Sequence, residues 1–336
     1  MDVTVQEAKD LVWRTWTSAD AEVRHVTLPD ETLFDPDCAF HGPAPIGRLD
    51  GRRALFDTVY APLANAFHAL RREPYLFLGG VFEGQVWVAT TGDFTGIFQR
   101  DWLGIPASGR ASRLRFGEFY RVEQGRVREI RCLFDVLGLA AQAGYDLLPP
   151  FEGRADVPPG PVLHNGLSRA TQDPNETAAT LDLVESMVGG CNRLDERGLA
   201  SMGMDRFWHT DMVWHGPWGI GSCHGFEEFQ DHAQGPSVAS FPDRRGGHHQ
   251  ARIADGVTAA FTGWPSLQGT FNGAPFHGLA PTGKPIGMNL MDFYVRRGDR
   301  LHENWVLIDL IDFWAQCGVD LLARLPSGPG HRSAIG

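Results

Sequence analysis

The chain has 336 residues, of which 43% are hydrophobic and 21% charged, as in folded rather than disordered proteins. A formal net charge of -11, with lysine only at Lys9 and Lys284, argues against a surface that binds nucleic acid. The sequence has no apolar run long enough to span a membrane and no signal-peptide pattern, so we expect a cytoplasmic protein without membrane contact.

The first predicted elements are two helices, and extended segments follow them. Apolar residues form one helical stripe from Val5 to Trp16, and a second helix opens at Gly51 and carries an apolar face to Phe67. Extended segments cover 75–78, 85–91, 114–122 and 127–134, and a short helix follows Asp135. This order predicts an α+β unit in which a curved antiparallel sheet wraps helices as a cone with an open mouth.

The chain then repeats itself at a shift of 174 positions. The matching segments are Phe40-His41-Gly42-Pro43 with Trp214-His215-Gly216-Pro217, Glu118-Phe119-Tyr120 with Asp292-Phe293-Tyr294, and Asp135 with Asp309. We therefore predict two tandem domains, residues 1–148 and 176–326. A linker rich in proline and glycine joins them at 149–175, and a flexible tail covers 327–336.

One acidic residue interrupts an apolar strand face in each copy. Strand alternation places Glu118 between Phe116 and Tyr120, and Asp292 holds the same position beside Tyr294. A carboxyl group in an apolar cavity should have a raised pKa, which suits a general acid or base. The alternative is that this face meets solvent and the acid is simply hydrated.

Two further pairs are candidates for the site. His41 and His215 each precede Gly-Pro, a turn that holds the imidazole in place either for catalysis or for bracing the turn itself. Asp135 and Asp309 end the last strand of each copy, where an aspartate often caps the next helix but can also reach a site.

Around the proposed mouth of the cone, aromatic residues are denser in the second copy, which indicates either an apolar ligand or an ordinary core. They include Trp214, Trp218, Trp264 and Trp305. The sequence shows no metal-ligand spacing, phosphate loop or dinucleotide fingerprint, so we expect neither a metal nor a cofactor. The five scattered cysteines favour reduced thiols.

The segments 214–220, 291–294 and 303–309, with 316–320 behind them, resemble the SnoaL-like polyketide cyclase or "ester cyclase" family. That family is similar in fold to nuclear transport factor and ketosteroid isomerase, so the resemblance implies a cone-shaped α+β barrel with an apolar pocket. It also implies acid–base cyclisation without a cofactor. The family's acid–base aspartate on the last strand is replaced here by Val306 and Cys132, while Asp292 and Glu118 supply an acid on the neighbouring strand.

The resemblance further implies that the two units pair across their open sheets as an internal pseudo-dimer, and it leaves a further homo-oligomer open. We expect a cyclase, isomerase or lyase that acts on a small apolar carbonyl compound. The competing interpretation is a non-catalytic module that binds a hydrophobic small molecule or a partner protein.

Specific roles follow for the second domain, which we expect to be the principal site. Asp292 would be the general base, His215 would donate a hydrogen bond to the developing oxyanion, and Asp309 would orient the site. In the first domain Glu118, His41 and Asp135 would take these parts if it is active. The expected substrate contacts are Trp214, Trp218, Trp264, Tyr294, Asn304 and Trp305. Because the second pocket is more apolar, we expect Asp292 to have the higher pKa of the two acids.

Overall fold

The structure, a computed structural model, describes residues 3–17, 28–162 and 166–326. The tail predicted at 327–336 lies outside these ranges. Within them, no helix combines the length and apolarity that a bilayer span requires.

The first domain combines helices with a six-stranded sheet. Its elements are α1 (Val5–Thr15), a 3-10 turn (Glu31–Leu33), β1 (Phe34–His41), β2 (Arg48–Asp50), α2 (Arg52–Leu55), a π-helical turn (Phe56–Tyr60), α3 (Ala61–Ala66), β3 (Phe67–Phe82), β4 (Gln85–Phe98), β5 (Ala111–Glu123), β6 (Arg126–Phe134) and α4 (Val136–Gln142). The strand order is β2-β1-β6-β5-β4-β3, with β1 parallel to β6.

The second domain repeats this plan. Its elements are α5 (Pro174–Cys191), α6 (Leu199–Met202), a 3-10 turn (Met204–Arg206), β7 (Trp208–His215), β8 (Ser222–His224), α7 (Phe226–Phe229), a π-helical turn (Gln230–Gln234), α8 (Gly235–Ser240), β9 (Arg245–Gly246), β10 (His249–Asp255), β11 (Thr258–Thr270), β12 (Pro285–Arg297), β13 (Arg300–Ile308), α9 (Leu310–Gln316) and a 3-10 turn (Leu322–Arg324). The strand order is β10-β11-β12-β13-β7-β8, and β9 pairs with β11.

Local sequence explains where several helices begin. Thr4 and Glu7 form a reciprocal capping box at the start of α1, which satisfies backbone N–H groups that have no partner within the helix. Asp173 caps α5, and Pro174 stands in the first turn, where its missing N–H costs nothing. β3 begins at Phe67, eight residues before the predicted start, because bulges near His68 and Pro74 interrupt the alternation that reveals a strand.

The two sheets pack against each other through their outer faces. Phe119 of β5 and Phe293 of β12 lie at equivalent positions, and their ring centroids are 5.5 Å apart. The sheets also approach each other closely at Gly117, where an added Cβ would lie 3.0 Å from Leu307 Cδ1. This contact covers one face of each sheet, so each cone encloses its interior between the opposite face and its own helices.

Both domains have the predicted α+β cone fold, but neither sheet closes into a barrel. In each sheet the path ends at two separate edge strands, β2 and β3 in the first domain and β8 and β10 in the second. The cone therefore depends on the helices to complete its wall.

Candidate functional site

The second cone contains a cavity of about 210 Å³ between its sheet and its helices. Most of its wall is apolar. The apolar lining includes Met187, Trp208, Trp214, Phe229, Phe261, Leu267, Phe276, Met288, Leu290 and Val306. Polar groups are few, which is the arrangement expected of a small-molecule site.

Asp292 lies in the wall of this cavity at the middle of the sheet. β12 places it between Phe261 of β11 and Val306 of β13. Burial raises the pKa of Asp292 to about 6, and hydrogen bonds from Tyr294 and Asn304 oppose that rise. The Asn304 amide also donates to the Phe293 carbonyl at 3.1 Å, which fixes its orientation. The cavity therefore holds a carboxyl group that can exchange a proton near neutral pH.

Further polar residues that were not predicted as site residues also line the cavity, and they include Gln234, Arg244 and His249. Burial lowers the pKa of His249 to about 4, so its ring is neutral at neutral pH. A register shift separates His249 from Ala251, so simple alternation from the core residues of β10 assigns the histidine to the wrong face. Gln234 lies in a π-helical turn, which has no sequence period that could have revealed it.

The interior of the first cone is filled at the equivalent place. Glu118 is fully buried, and Arg72 Nη2 donates to its Oε2 at 2.5 Å. The Tyr120 hydroxyl donates to the same oxygen at 2.7 Å, and the Trp16 indole donates to that hydroxyl at 3.1 Å. The Arg72 guanidinium lies over the Trp16 and Phe116 rings at 4.7 and 4.4 Å. Glu118 is therefore a buried ion-pair partner rather than an accessible acid.

Strand register identifies the residue that replaces Arg72 in the second domain. Arg72 pairs with Phe94, which pairs with Leu114. In the second sheet Gly246 pairs with Leu267, which pairs with Met288, the counterpart of Leu114. Gly246 lines the cavity, so the absence of a side chain there leaves space that Arg72 occupies in the first domain.

The predicted roles of His41 and His215 are wrong, because both side chains lie on the outer face of their sheets. Trp214 faces the cavity, so the next residue on β7, His215, faces the other domain. Burial lowers the pKa of His215 to about 3, and its ring centroid is 5.1 Å from that of Trp305. His41 lies 6.3 Å from the Trp264 ring, also between the domains.

The predicted tryptophan contacts divide in the same way. Trp214 lines the cavity, as do Tyr294 and Asn304. Trp264 and Trp305 instead pack in the core between the two sheets, and the Trp305 indole donates to the Pro159 carbonyl at 2.9 Å. These two residues are therefore not substrate contacts in the cavity.

Trp218 also lies outside the cavity, in the loop after β7. Its indole donates to Asp146 Oδ1 at 3.2 Å, and its ring packs edge-on against Phe151, 5.2 Å away. The predicted substrate contact at Trp218 is therefore wrong as well, because this side chain is held by the first domain and by the connecting segment.

Asp135 and Asp309 form a symmetrical pair of bridges between the domains. Asp309 caps α9, and its Oδ2 accepts from the Ala44 N–H of the first domain at 2.9 Å. Asp135 caps α4, and its Oδ2 accepts from the Trp218 N–H of the second domain at 3.0 Å. The predicted role of Asp309 and Asp135 in orienting the catalytic site does not fit this position, since both carboxylates accept hydrogen bonds at the interface between the domains.

Comparison with known proteins places both domains in one family. The model of the SnoaL-like polyketide cyclase family matches residues 27–143 and 197–317. The sequence matches none of the curated proteins with which it was compared.

Two solved structures are similar to less than half of this chain. AclR from Streptomyces galilaeus, a proposed hydroxylase, is 20% identical, with 46% of this chain and 90% of that chain covered and a TM-score of 0.35. IdmH from Streptomyces antibioticus, a proposed polyketide cyclase, is 24% identical, with 41% and 97% covered and a TM-score of 0.33.

Proposed function

The chain belongs to the SnoaL-like polyketide cyclase family, and we propose that its second domain is a cofactor-independent cyclase or isomerase. Its substrate is a small, largely apolar carbonyl compound that enters the cavity, and Asp292 is the group that moves the proton. The first domain is a structural partner without a catalytic site of its own. The observation that carries the proposal is an accessible carboxyl group with a raised pKa in an apolar cavity.

The proposed chemistry needs only one titrating group. With a pKa of about 6, roughly nine in ten Asp292 side chains are ionised at pH 7. The carboxylate removes a proton from the carbon next to the carbonyl, and the electron pair moves into an enolate. The enolate is then reprotonated at another carbon, which is isomerisation, or it attacks a second carbonyl carbon and closes a ring. In either case the proton held by Asp292 returns to the product.

Tyr294 and Asn304 are positioning residues in this scheme. Both hydrogen-bond the Asp292 carboxylate, and the bond from Asn304 to the Phe293 carbonyl holds its amide in place. A fixed carboxylate loses less freedom when it meets the substrate, which favours proton transfer. The apolar wall keeps water from competing for the base.

The test follows solvent deuterium incorporation into a panel of apolar ketones and 1,3-diketones by NMR. Asp292→Asn should slow enzyme-dependent exchange by about 100-fold or more, because a positioned base contributes at least that much. The rate in the wild-type protein should rise with pH through about 6, as Asp292 ionises. The matched control is Glu118→Gln, which changes the equivalent acid of the first domain and should leave the exchange rate of the folded protein unchanged.

Two results would contradict the proposal. One is an Asp292→Asn variant that exchanges ketone protons as fast as the wild type. The other is a wild-type protein that binds the ketones without any exchange, which would support the alternative of a binding module.

A further inference from the structure

In the part of the chain that the structure describes, a cation lies in the wall of the second cavity without a carboxylate partner. Arg244 immediately precedes β9, and its Nη1 donates to the Ser237 hydroxyl at 2.9 Å. Its Nη2 lies 3.9 Å from Met202 Sδ. Among the described residues Arg244 forms no ion pair, and burial lowers its pKa. Arg244 is partly buried, and an arginine that is partly withdrawn from water gains from pairing with an anion, since removing the charge from water is costly.

A second polar group at the same end of the cavity is also unsatisfied. Gln234 is only 5% exposed, lines the cavity, and its Oε1 has no hydrogen-bond partner among the described residues. It precedes Ser237 by three residues on a continuous helical segment, so the two side chains point toward the same side. Because Ser237 holds the Arg244 guanidinium, Gln234 and Arg244 converge on one corner of the cavity.

This corner, formed by Gln234, Ser237 and Arg244, is separate from Asp292. Gly246 lies in the same row of the sheet as Met288, which is four residues from Asp292 along β12. Four residues of a strand span about 13 Å, and Arg244 precedes Gly246 by two residues. The wall between the two ends is apolar and includes Leu267 and Leu290. The cavity therefore presents a base at one end, a cation at the other and apolar surface between them.

We infer that the substrate of this cavity is an elongated organic anion, an apolar carbonyl compound whose carboxylate binds Arg244 and Gln234 while its reactive carbonyl lies at Asp292. A guanidinium can donate two parallel N–H bonds to a carboxylate. The Gln234 amide adds a third donor once it turns by 180° so that its NH2 group, rather than the unpaired Oε1, faces the corner. This inference rests on the proposed function, because it names the substrate class of the same site. It adds a specificity-determining residue that takes no part in the proton transfer.

The experiment compares 4-(2-naphthyl)-4-oxobutanoate with its methyl ester by titration calorimetry. The two compounds share the aryl ketone, and the ester replaces the negative charge by a neutral group with one extra methyl. The pair therefore tests how the carboxylate binds and not where the ketone lies. The wild-type protein should bind the carboxylate at least about tenfold more tightly than the ester, since charge-assisted hydrogen bonds exceed neutral ones in strength. Arg244→Gln should bring the two affinities together. Arg245→Gln, which alters the exposed neighbour of Arg244, is the matched control and should keep the wild-type preference.

Equal affinities in the wild-type protein, or no binding of the carboxylate at millimolar concentration, would overturn the inference. So would a preference that survives in Arg244→Gln. If Arg244→Gln does not fold, the affinities of the wild-type protein for the acid and the ester still test the inference. The Asp292→Asn variant separates the two proposals, because it should still bind the acid more tightly than the ester. A wild-type protein that prefers the acid but exchanges no ketone protons would contradict the proposed function and leave this inference standing.

Discussion

The two cones of this chain share a fold and place an acid at the same point of the same strand, yet their interiors differ. In the first, Glu118 is fully buried and bonded to Arg72. In the second, Asp292 faces a cavity, and glycine stands at the position of Arg72. The position that holds arginine in one copy and glycine in the other therefore contributes to the difference between a filled interior and an open one.

An acid at an equivalent place in a fold therefore does not by itself define a site. Both acids are surrounded by aromatic and aliphatic side chains, but only one lies where a ligand can reach it. The two acids differ in their partners. Glu118 pairs with the buried Arg72 and becomes part of the core. Among the described residues Asp292 has no cationic partner, and burial raises its pKa to about 6.

The largest expected effect is on stability and concerns the first cone. Arg72→Ala leaves Glu118 buried without a counter-charge, which should lower the free energy of unfolding by about 3–5 kcal/mol. Urea denaturation at pH 7 measures this loss. The control is the double variant Arg72→Met with Glu118→Gln, which replaces the ion pair by uncharged groups and should recover most of the lost free energy of unfolding. Equal urea midpoints for the single and double variants would show that the ion pair is not what makes Arg72 necessary.

The next effect concerns activity and makes the second cone resemble the first. Gly246→Arg introduces the missing arginine; the nearest atom to a Cβ there is Asn192 Oδ1 at 3.5 Å, so the backbone can accept a side chain. The guanidinium should occupy the cavity and lower proton exchange by about 100-fold, or about 2.7 kcal/mol. Exchange into the ketone panel measures it. Gly246→Ala is the matched control and should remain active, and a fully active Gly246→Arg variant would contradict the register-based comparison.

A smaller effect tests the bridges between the cones. Burial raises the pKa of Asp309 to about 7, above its value in the unfolded chain. The folded protein therefore binds an extra proton between about pH 4 and 7, and this group's contribution to stability is lost as pH rises through that window. As pH rises through this window, the free energy of unfolding of the wild-type protein should fall by at least about 1.4 kcal/mol more than that of Asp309→Asn. This difference is the equivalent of one pKa unit.

Urea midpoints at pH 4.5 and 7.5 measure this difference between the wild-type protein and Asp309→Asn. Asp135→Asn should show the same sign, since burial also raises the pKa of Asp135. Parallel pH profiles for the wild type and both variants would contradict the role assigned to these bridges.

Much of the fold could be predicted because its signals are local or repeated. The duplication shows in segments such as 40–43 and 214–217, and alternation along β5 places Glu118 among inward-facing apolar residues. The helix caps at Asp135 and Asp309 stand where an aspartate precedes a helix. These features require no knowledge of distant contacts.

The errors at the site have a common physical cause. Alternation on β7 requires Trp214 and His215 to face opposite sides, so both could not line one cavity. The outer face of each sheet is buried because the two sheets pack on each other, as the contact of Trp305 with His215 shows. This long-range packing could not be predicted from the sequence. Arg244 and Gln234 were not predicted as site residues, because they lie in a turn and in a π-helical segment, where no regular sequence pattern indicates which side chains face the interior.

The most direct test of the account is a side-chain carboxyl titration by NMR on protein labelled with 13C-aspartate. We predict a resonance that titrates near pH 6 in the wild-type protein and is missing in Asp292→Asn, the variant that distinguishes it from Asp309. It should move when 4-(2-naphthyl)-4-oxobutanoate is added, because the ligand fills the same cavity. An Asp292 resonance that titrates near the ordinary aspartate value of about 4 would contradict the claim that this cavity holds the proton-transfer group.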